Sequence, residues 1–371
     1  MESVELMELN KLLSNVYKNK TILITGHTGF KGGWLTLWLE SMGAKVIGYS
    51  LDPPTEPSFF QETGLSSRIV DIRGDILDQP KISQIVRRYH PNFIFHLAAQ
   101  PLVRASYKNP LETFNVNVMG TVNVLESIRL SEIPLVCVCI TSDKCYENKE
   151  WDYAYRENDP MGGHDPYSGS KGAAELVVAS YRKSFFESNG SKPSCALSTA
   201  RAGNVIGGGD WAEDRIVPDC VRSLVDGKTI KIRNSKAMRP WQFVLDPLFG
   251  YLWLAYKMKE KPSEYSGAWN FGPYYSNNVD VRTLTEKIIL EWGVGKWEST
   301  TWNNNLHEAD FLKLDIAKSV TRLGWKPIYG IDEAIRKTIE WYRTDYDGVE
   351  DMYKFSLGQI ETYMRDSVLV I

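Results

Sequence analysis

The stretch Thr21-Ile22-Leu23-Ile24-Thr25-Gly26-His27-Thr28-Gly29-Phe30-Lys31-Gly32 decides the fold. Its first five residues form a short β-rich run, its glycines mark a tight turn, and Phe30 to Met42 reads as a helix closed by Gly43. Lys45 to Tyr49 reads as a second strand, and parallel strands need such a crossover helix between them. The glycine spacing differs from the commoner G-x-G-x-x-G. The physics is shared: small residues let backbone approach a pyrophosphate, and the following helix presents its positive N-terminus. Gly26, His27, Thr28, Gly29, Phe30, Lys31 and Gly32 are therefore candidate dinucleotide contacts.

The same rhythm continues downstream. Ile69-Val70-Asp71 reads as a strand, Ile82 to Tyr89 as a helix, and Phe93 to Leu97 as a strand. Leu111 to Leu130 is a long helix, Leu135 to Ile140 a buried strand, Pro166 to Glu187 a long helix and Ser194 to Ala200 a strand. This alternation predicts an α/β fold, a Rossmann-type doubly wound parallel sheet. After Arg201 the run Gly207-Gly208-Gly209 and the prolines at 218, 240, 247 and 273 break the pattern. Thr283 to Glu291, Ile331 to Arg343 and Met352 to Arg365 read as helices. The expected organisation is an N-terminal extension over 1–19, a nucleotide-binding domain with the catalytic residues over 20–200, and a smaller substrate-binding α/β region over 201–371, partly interleaved with the sheet.

With 43 basic and 46 acidic residues among 371, the net charge is −3, which argues against a non-specific nucleic-acid binder. Cys137, Cys139, Cys145, Cys195 and Cys220 form no CxxC pair, and their odd number argues against a disulfide framework. Reduced thiols in a cytoplasmic protein are the reading, with Cys137 and Cys139 on one face of their strand. Met1 to Lys20 lacks the apolar core of a signal peptide. The richest apolar stretch, Leu248 to Met258, falls short of the roughly 20 residues a membrane span needs and carries Lys257. No metal site is expected. Trp241, Trp253 and Trp269 either line a substrate pocket or pack the core, and core packing is the simpler reading.

Chemistry concentrates in Tyr167-Ser168-Gly169-Ser170-Lys171. Side chains at i and i+4 share a helix face, and a cation beside a phenol favours the phenolate. The strand ending at Ile140 runs into Thr141-Ser142-Asp143-Lys144, and catalytic groups of open α/β sheets gather at such strand ends. Ser142 is placed to hydrogen-bond the substrate hydroxyl that Tyr167 deprotonates. Lys171 is placed to bind a nicotinamide ribose and depress the tyrosine pKa. Ser50 or Asp52 is the candidate for the adenosine ribose, and no arginine follows the second strand to receive a 2′-phosphate, which favours NAD. Asp75 and Ile76 are candidates for the adenine edge, with a turn or helix cap as the other reading of Asp75. Leu97, Ala98 and Ala99 would let backbone run beside the cofactor.

These motifs together resemble the extended short-chain dehydrogenase/reductase family over nearly the whole chain. Ser142-Asp143-Lys144 narrows the resemblance to the sugar-nucleotide 4,6-dehydratases. Lysine rather than glutamate at 144 is similar to the CDP-glucose 4,6-dehydratases. So are Gly26 to Trp34, Ala99-Gln100-Pro101-Leu102-Val103-Arg104, Gly207-Gly208-Gly209-Asp210-Trp211 and Arg239-Pro240-Trp241-Gln242. The resemblance implies an NAD-dependent hydro-lyase for a deoxysugar of a bacterial surface polysaccharide such as O-antigen. In that reaction Tyr167 takes the C4 hydroxyl proton as hydride leaves for NAD. Water then departs across C5 and C6, assisted by Asp143 and Lys144, and hydride returns to C6. Asn204 matches the family position that reaches the diphosphate. Arg215 and Arg239 are candidates for the same anion, since arginine suits bidentate phosphate contacts. Gln100 and Arg104 are further substrate candidates, and His307-Glu308 weaker ones. Family members pair through two long helices, here Leu111 to Leu130 and Pro166 to Glu187, so a homodimer or homotetramer is expected. The rival readings are a GDP-mannose or dTDP-glucose 4,6-dehydratase, a 4-epimerase, and a non-catalytic NAD-binding scaffold.

Overall fold

The computed structural model describes residues 11–187, 195–274, 277–300, 311–348 and 351–367. Seven strands form one parallel sheet: β1 (Thr21–Thr25), β2 (Lys45–Ser50), β3 (Val70–Arg73), β4 (Phe93–His96), β5 (Leu135–Ile140), β6 (Cys195–Ala202) and β7 (Gly267–Phe271). Their spatial order is β3-β2-β1-β4-β5-β6-β7. The reversal of order beside β1 opens a crevice at the strands' carboxyl ends, where such sheets bind ligands.

Strand sequence explains strand position. Every residue of β5 and β6 is buried, as expected of central parallel strands covered on both faces. Alternate residues feed two cores. Ile22, Ile24, Phe93, Phe95, Val136 and Val138 face one layer of helices, while Leu23, Ile94, Cys137, Cys139 and Leu197 face the other. Cys137 and Cys139 do share a face, with their sulfurs 3.9 Å apart.

Helix α1 (Phe30–Ser41) follows the glycine turn, α2 (Gln79–Tyr89) and α3 (Gly120–Ser131) cover the second face, and α4 (Pro166–Tyr181) carries Tyr167 and Lys171. Of the two long helices read from the sequence, the first is interrupted by a π turn at Asn115–Met119 and the second ends in one at Arg182–Phe186. The apolar stretch around Leu248 belongs to α5 (Leu245–Glu260), which buries twelve of its residues in the core. Trp241, Trp253 and Trp269 are likewise buried in that core.

The last strand named from the sequence ends at Ala200; β7, from the region expected to interleave with the sheet, pairs parallel to β6 with Gly267 opposite Ser198. Five residues between Pro262 and Pro273 carry too little local signal to be read as a strand, and pairing at the sheet edge decides their conformation. Helices α6 (Ile331–Asp347) and α7 (Met352–Ser367) close the fold. Part of the N-terminal extension docks as well: Leu13, Val16 and Tyr17 are buried, and the Tyr17 hydroxyl donates to the Leu252 carbonyl at 2.6 Å. Among the described residues, no helix is long and apolar enough to cross a membrane. Ser194, His307 and Glu308 lie outside the described residues.

Candidate active site

Three glycines shape the turn after β1 in three different ways. Gly26 has φ +77°, and a side chain there would meet the Ala98 backbone nitrogen at 2.7 Å. A Cβ on Gly32 would lie 2.0 Å from the Gly26 carbonyl, so glycine alone lets α1 start this close to the turn. A Cβ on Gly29 would meet only the Gly26 carbonyl, at 3.5 Å, and otherwise project into open space. Helix α1 also begins without a side-chain cap and without an acidic residue in its first turn. Unspent amide donors and a positive helix end beside a cleared surface fit the diphosphate of a dinucleotide.

Flanking contacts set the cofactor end. The His27 ring is fully buried, with Nε2 2.9 Å from Asp71 Oδ1. Burial lowers its pKa, with Asp71 opposing. The Thr28 hydroxyl lies 2.9 Å from Ser50 Oγ and 3.1 Å from the Leu51 carbonyl, fastening the end of β2. Asp52 projects into solvent, 90 % exposed. Here the structure differs from the sequence reading, because an arginine does stand beside this strand end. Register places Arg73 of β3 opposite Ser50, and its guanidinium donates to the Leu51 carbonyl at 3.0 Å and to Asp71 at 2.8 Å. A neighbouring strand, invisible to a local reading, brings it there.

Asp75 is exposed and caps a turn, accepting from the Leu77 amide at 2.9 Å. The Ile76 side chain is buried against Gly120. Leu97, Ala98 and Ala99 lie alongside the glycine turn: the Leu97 amide donates to the Thr25 carbonyl at 3.0 Å, and the Ala98 amide to Thr25 Oγ1 at 3.3 Å. Gln100 is hydrogen-bonded within its own loop. Its Nε2 donates to Thr113 at 2.9 Å and its Oε1 accepts from the Leu102 amide at 2.6 Å, so both ends of the amide are spent on the loop. Asn117, from the π turn, braces that loop against α4 by donating to Ser170 Oγ at 2.8 Å.

Ser142, Asp143, Lys144, Tyr167 and Lys171 converge at the ends of β5 and α4. Tyr167 is buried near Ser142, and burial pushes its pKa up to about 12, with Ser142 and Arg215 pulling the other way. In the protein alone, desolvation outweighs Ser142 and Arg215 at the Tyr167 hydroxyl. Lys171 is itself brought down to about 8 by burial, with Glu175 opposing. Lys31, placed by the sequence on the glycine turn, reaches into this same centre. Burial and the Lys171 and Arg215 charges bring it to about 7, with Asp143 opposing.

Asp143 is 5 % exposed and accepts from Ser142 Oγ at 2.9 Å. Burial raises its pKa, opposed by Lys144, Ser142 and Arg239. Gly203 clears its other side, since a Cβ there would lie 2.8 Å from Oδ2. Lys144 is half-buried beside it, its amide donating to Ser142 Oγ at 3.2 Å.

The candidate anion contacts gather nearby. Arg239 donates to the Met238 carbonyl at 2.9 Å and acts electrostatically on Asp143. Arg215 is paired with Asp210 at 2.7 Å, and Arg104 with Asp214 at 3.2 Å. The Asn204 carbonyl accepts from the Gln242 amide at 3.0 Å, holding that loop. The sequence reading missed Arg233, Lys31's reach, and a buried network in which Glu175 accepts from Arg201 at 2.7 Å and Thr199 at 2.8 Å. A glutamate one turn after Lys171 was the available signal for the last.

The family model described as GDP-mannose 4,6-dehydratase matches residues 23–338. The CDP-glucose 4,6-dehydratase of Salmonella typhimurium is 45 % identical over 355 residues, covering 94 % of this chain and 98 % of that protein. The human dTDP-D-glucose 4,6-dehydratase is 25 % identical over 90 % of this chain and 93 % of its own length. Among solved structures, the dTDP-glucose 4,6-dehydratase of Streptomyces venezuelae with bound NAD superposes with a TM-score of 0.75 at 20 % identity, covering 90 % of this chain and 99 % of that one. An epimerase from Methanothermobacter thermautotrophicus gives 0.77 at 21 %, covering 92 % and 97 %. At these identities the superpositions speak to the fold.

Proposed function

The chain belongs to the family described as GDP-mannose 4,6-dehydratase, and we propose that its own reaction is the NAD-dependent conversion of CDP-D-glucose to CDP-4-dehydro-6-deoxy-D-glucose and water. The observation that carries this reading is Asp143, a buried carboxyl held toward its protonated form beside Ser142 and Tyr167. Oxidising an alcohol needs no such acid, whereas expelling a hydroxyl group does. The Salmonella relative points to the same substrate.

Gly26 to Gly32, the amide end of α1, and the Leu97 to Ala99 loop would hold the dinucleotide. NAD bound there supplies a hydride acceptor at C4 and the same hydride for C6, so it is not consumed. Tyr167, aligned by Ser142, removes the C4 hydroxyl proton. Asp143 protonates the departing C6 hydroxyl, and Lys144 handles the C5 proton. Lys171, buried one turn from Tyr167, orients the nicotinamide ribose. Asn204, Arg215 and Arg239 belong to the set of residues that receives the diphosphate.

The division between nucleotide-binding and substrate-binding regions falls near residue 200, with β7 returning to the sheet. A second copy of the chain covers the long-helix face, where Leu111, Phe114 and Leu176 are 72 %, 41 % and 62 % exposed. Sugar-nucleotide chemistry and the five buried free thiols favour the cytoplasm. The test is incubation with CDP-, dTDP-, GDP- and UDP-hexoses, following the alkaline ultraviolet absorbance of a 4-keto-6-deoxy product. Turnover of the CDP sugar alone supports the reading, and turnover of another base in preference refutes it.

A further inference from the structure

Residues 210–215 form a strap beside Tyr167, and most of it is pinned. The Tyr342 hydroxyl donates to the Asp210 carbonyl, Arg222 donates to the Trp211 carbonyl at 3.0 Å, and Arg215 is held by Asp210 at 2.7 Å. Between these pins stands Asp214, with φ +62°, a left-handed conformation that aspartate and asparagine tolerate better than other side chains. Its Oδ1 accepts from two guanidinium groups, Arg104 Nη1 at 3.2 Å and Arg233 Nη1 at 2.8 Å.

The two arginines come from opposite parts of the chain. Arg104 lies on the short helix Val103–Lys108, two residues before Ser106, whose hydroxyl accepts from the Tyr167 amide at 3.2 Å. Arg233 follows the strand Ile230–Ile232. Asp214 thus ties the catalytic helix's support to the substrate-binding region. Around it stand Arg104, Arg233, Arg222 and Arg215 with Asp210, Glu213, Asp219 and Asp214 itself, so the guanidinium groups are balanced by resident carboxylates.

We propose that Asp214 is a resident anion in an arginine clasp, displaced from Arg104 and Arg233 by the diphosphate of the incoming sugar nucleotide. The inference rests on the sugar-nucleotide reading of the site. A carboxylate carries one charge and here offers one oxygen to both arginines, while both make further contacts of their own. A diphosphate brings more charge and more acceptor oxygens, which suit the guanidinium fork better. Exposure favours the exchange: the Asp214 side chain is 45 % exposed and can return to water, whereas Arg104 and Arg233 are 21 % and 28 % exposed. The same competition disfavours singly charged ligands, which gain little over the carboxylate they replace. Asp214 is therefore a specificity-setting residue rather than a catalytic one.

The experiment is calorimetric titration of the full-length protein, saturated with NAD so that the glycine turn is filled, with inorganic pyrophosphate, for wild type, Asp214→Asn, Arg104→Gln and the double variant. Asparagine keeps the left-handed backbone while removing the charge. Asp214→Asn is expected to tighten pyrophosphate binding about two- to fivefold, the worth of one partly exposed charge pair. Arg104→Gln is expected to weaken it about tenfold in either background. Weaker or unchanged binding in Asp214→Asn overturns the proposal, as does an Arg104→Gln effect that vanishes once Asp214 is neutral. Pyrophosphate carries neither base nor sugar, so failure to turn over CDP-glucose would sink the functional reading without deciding this titration.

Discussion

Glu175 and Arg201 meet at 2.7 Å with only 4 % of each side chain exposed. The pair sits one helical turn beyond Lys171 and ties α4 to β6. Arg201 also donates to the Tyr146 hydroxyl at 2.6 Å, which donates in turn to Asn270 of β7 at 2.7 Å. The loop carrying Asp143 and Lys144 is thereby fixed to the helix carrying Tyr167.

Removing one partner leaves the other charge buried without compensation. Glu175→Gln should destabilise the fold by about 3–5 kcal/mol, and Arg201→Met similarly. The double variant Glu175→Leu/Arg201→Met should lose less than the two singles together. Urea denaturation of the four proteins measures this, and strict additivity would show that the residues do not act as a pair.

Asp246 makes stability depend on pH. Its carboxyl is fully buried, accepts from the Ile328 amide at 2.7 Å and the Tyr363 hydroxyl at 2.9 Å, and is pushed up to about 7 by burial. A folded-state pKa above the unfolded value of about 3.9 means the folded protein binds more protons between those values. Its contribution is full below about pH 4 and is lost as pH rises through 7, a span of at most about 4 kcal/mol. Denaturant midpoints across that range should decline more steeply for wild type than for Asp246→Asn, and parallel profiles would refute the assignment.

The glycine turn predicts two opposite outcomes one helical turn apart. Gly32→Ala drives a methyl into the Gly26 carbonyl and should destabilise the fold severely. Gly29→Ala makes only ordinary contact, so stability should hold while the methyl enters the cradle and weakens NAD binding by about tenfold. Thermal melts and fluorescence titration with NAD separate the two, and normal NAD affinity in Gly29→Ala would remove the cradle from that surface.

Lys144→Ala tests the division of labour beside Asp143. It should still oxidise C4 but stall before elimination, so that 4-keto-glucose accumulates without 6-deoxy product. Quenched-flow mass spectrometry distinguishes the two sugars, and normal turnover would assign the C5 proton to another group.

Much of this was legible in the chain. The Rossmann strands from β1 to β6, the glycine turn and Tyr167-x-x-x-Lys171 announce themselves by local period and spacing. What escaped depends on partners distant in sequence. β7 is defined by pairing with β6, Arg73 reaches the cofactor end through strand register, and Gln100 is held in its loop by Thr113 and the Leu102 amide. Desolvation of the Tyr167 hydroxyl escaped for the same reason, since spacing shows neighbours along a helix but not burial.

Turnover of CDP-glucose by Tyr167→Phe is the most direct measurement. The variant keeps the ring and its packing and loses only the hydroxyl. The account predicts at least a hundredfold loss of kcat with NAD still bound. A rate equal to wild type would contradict it.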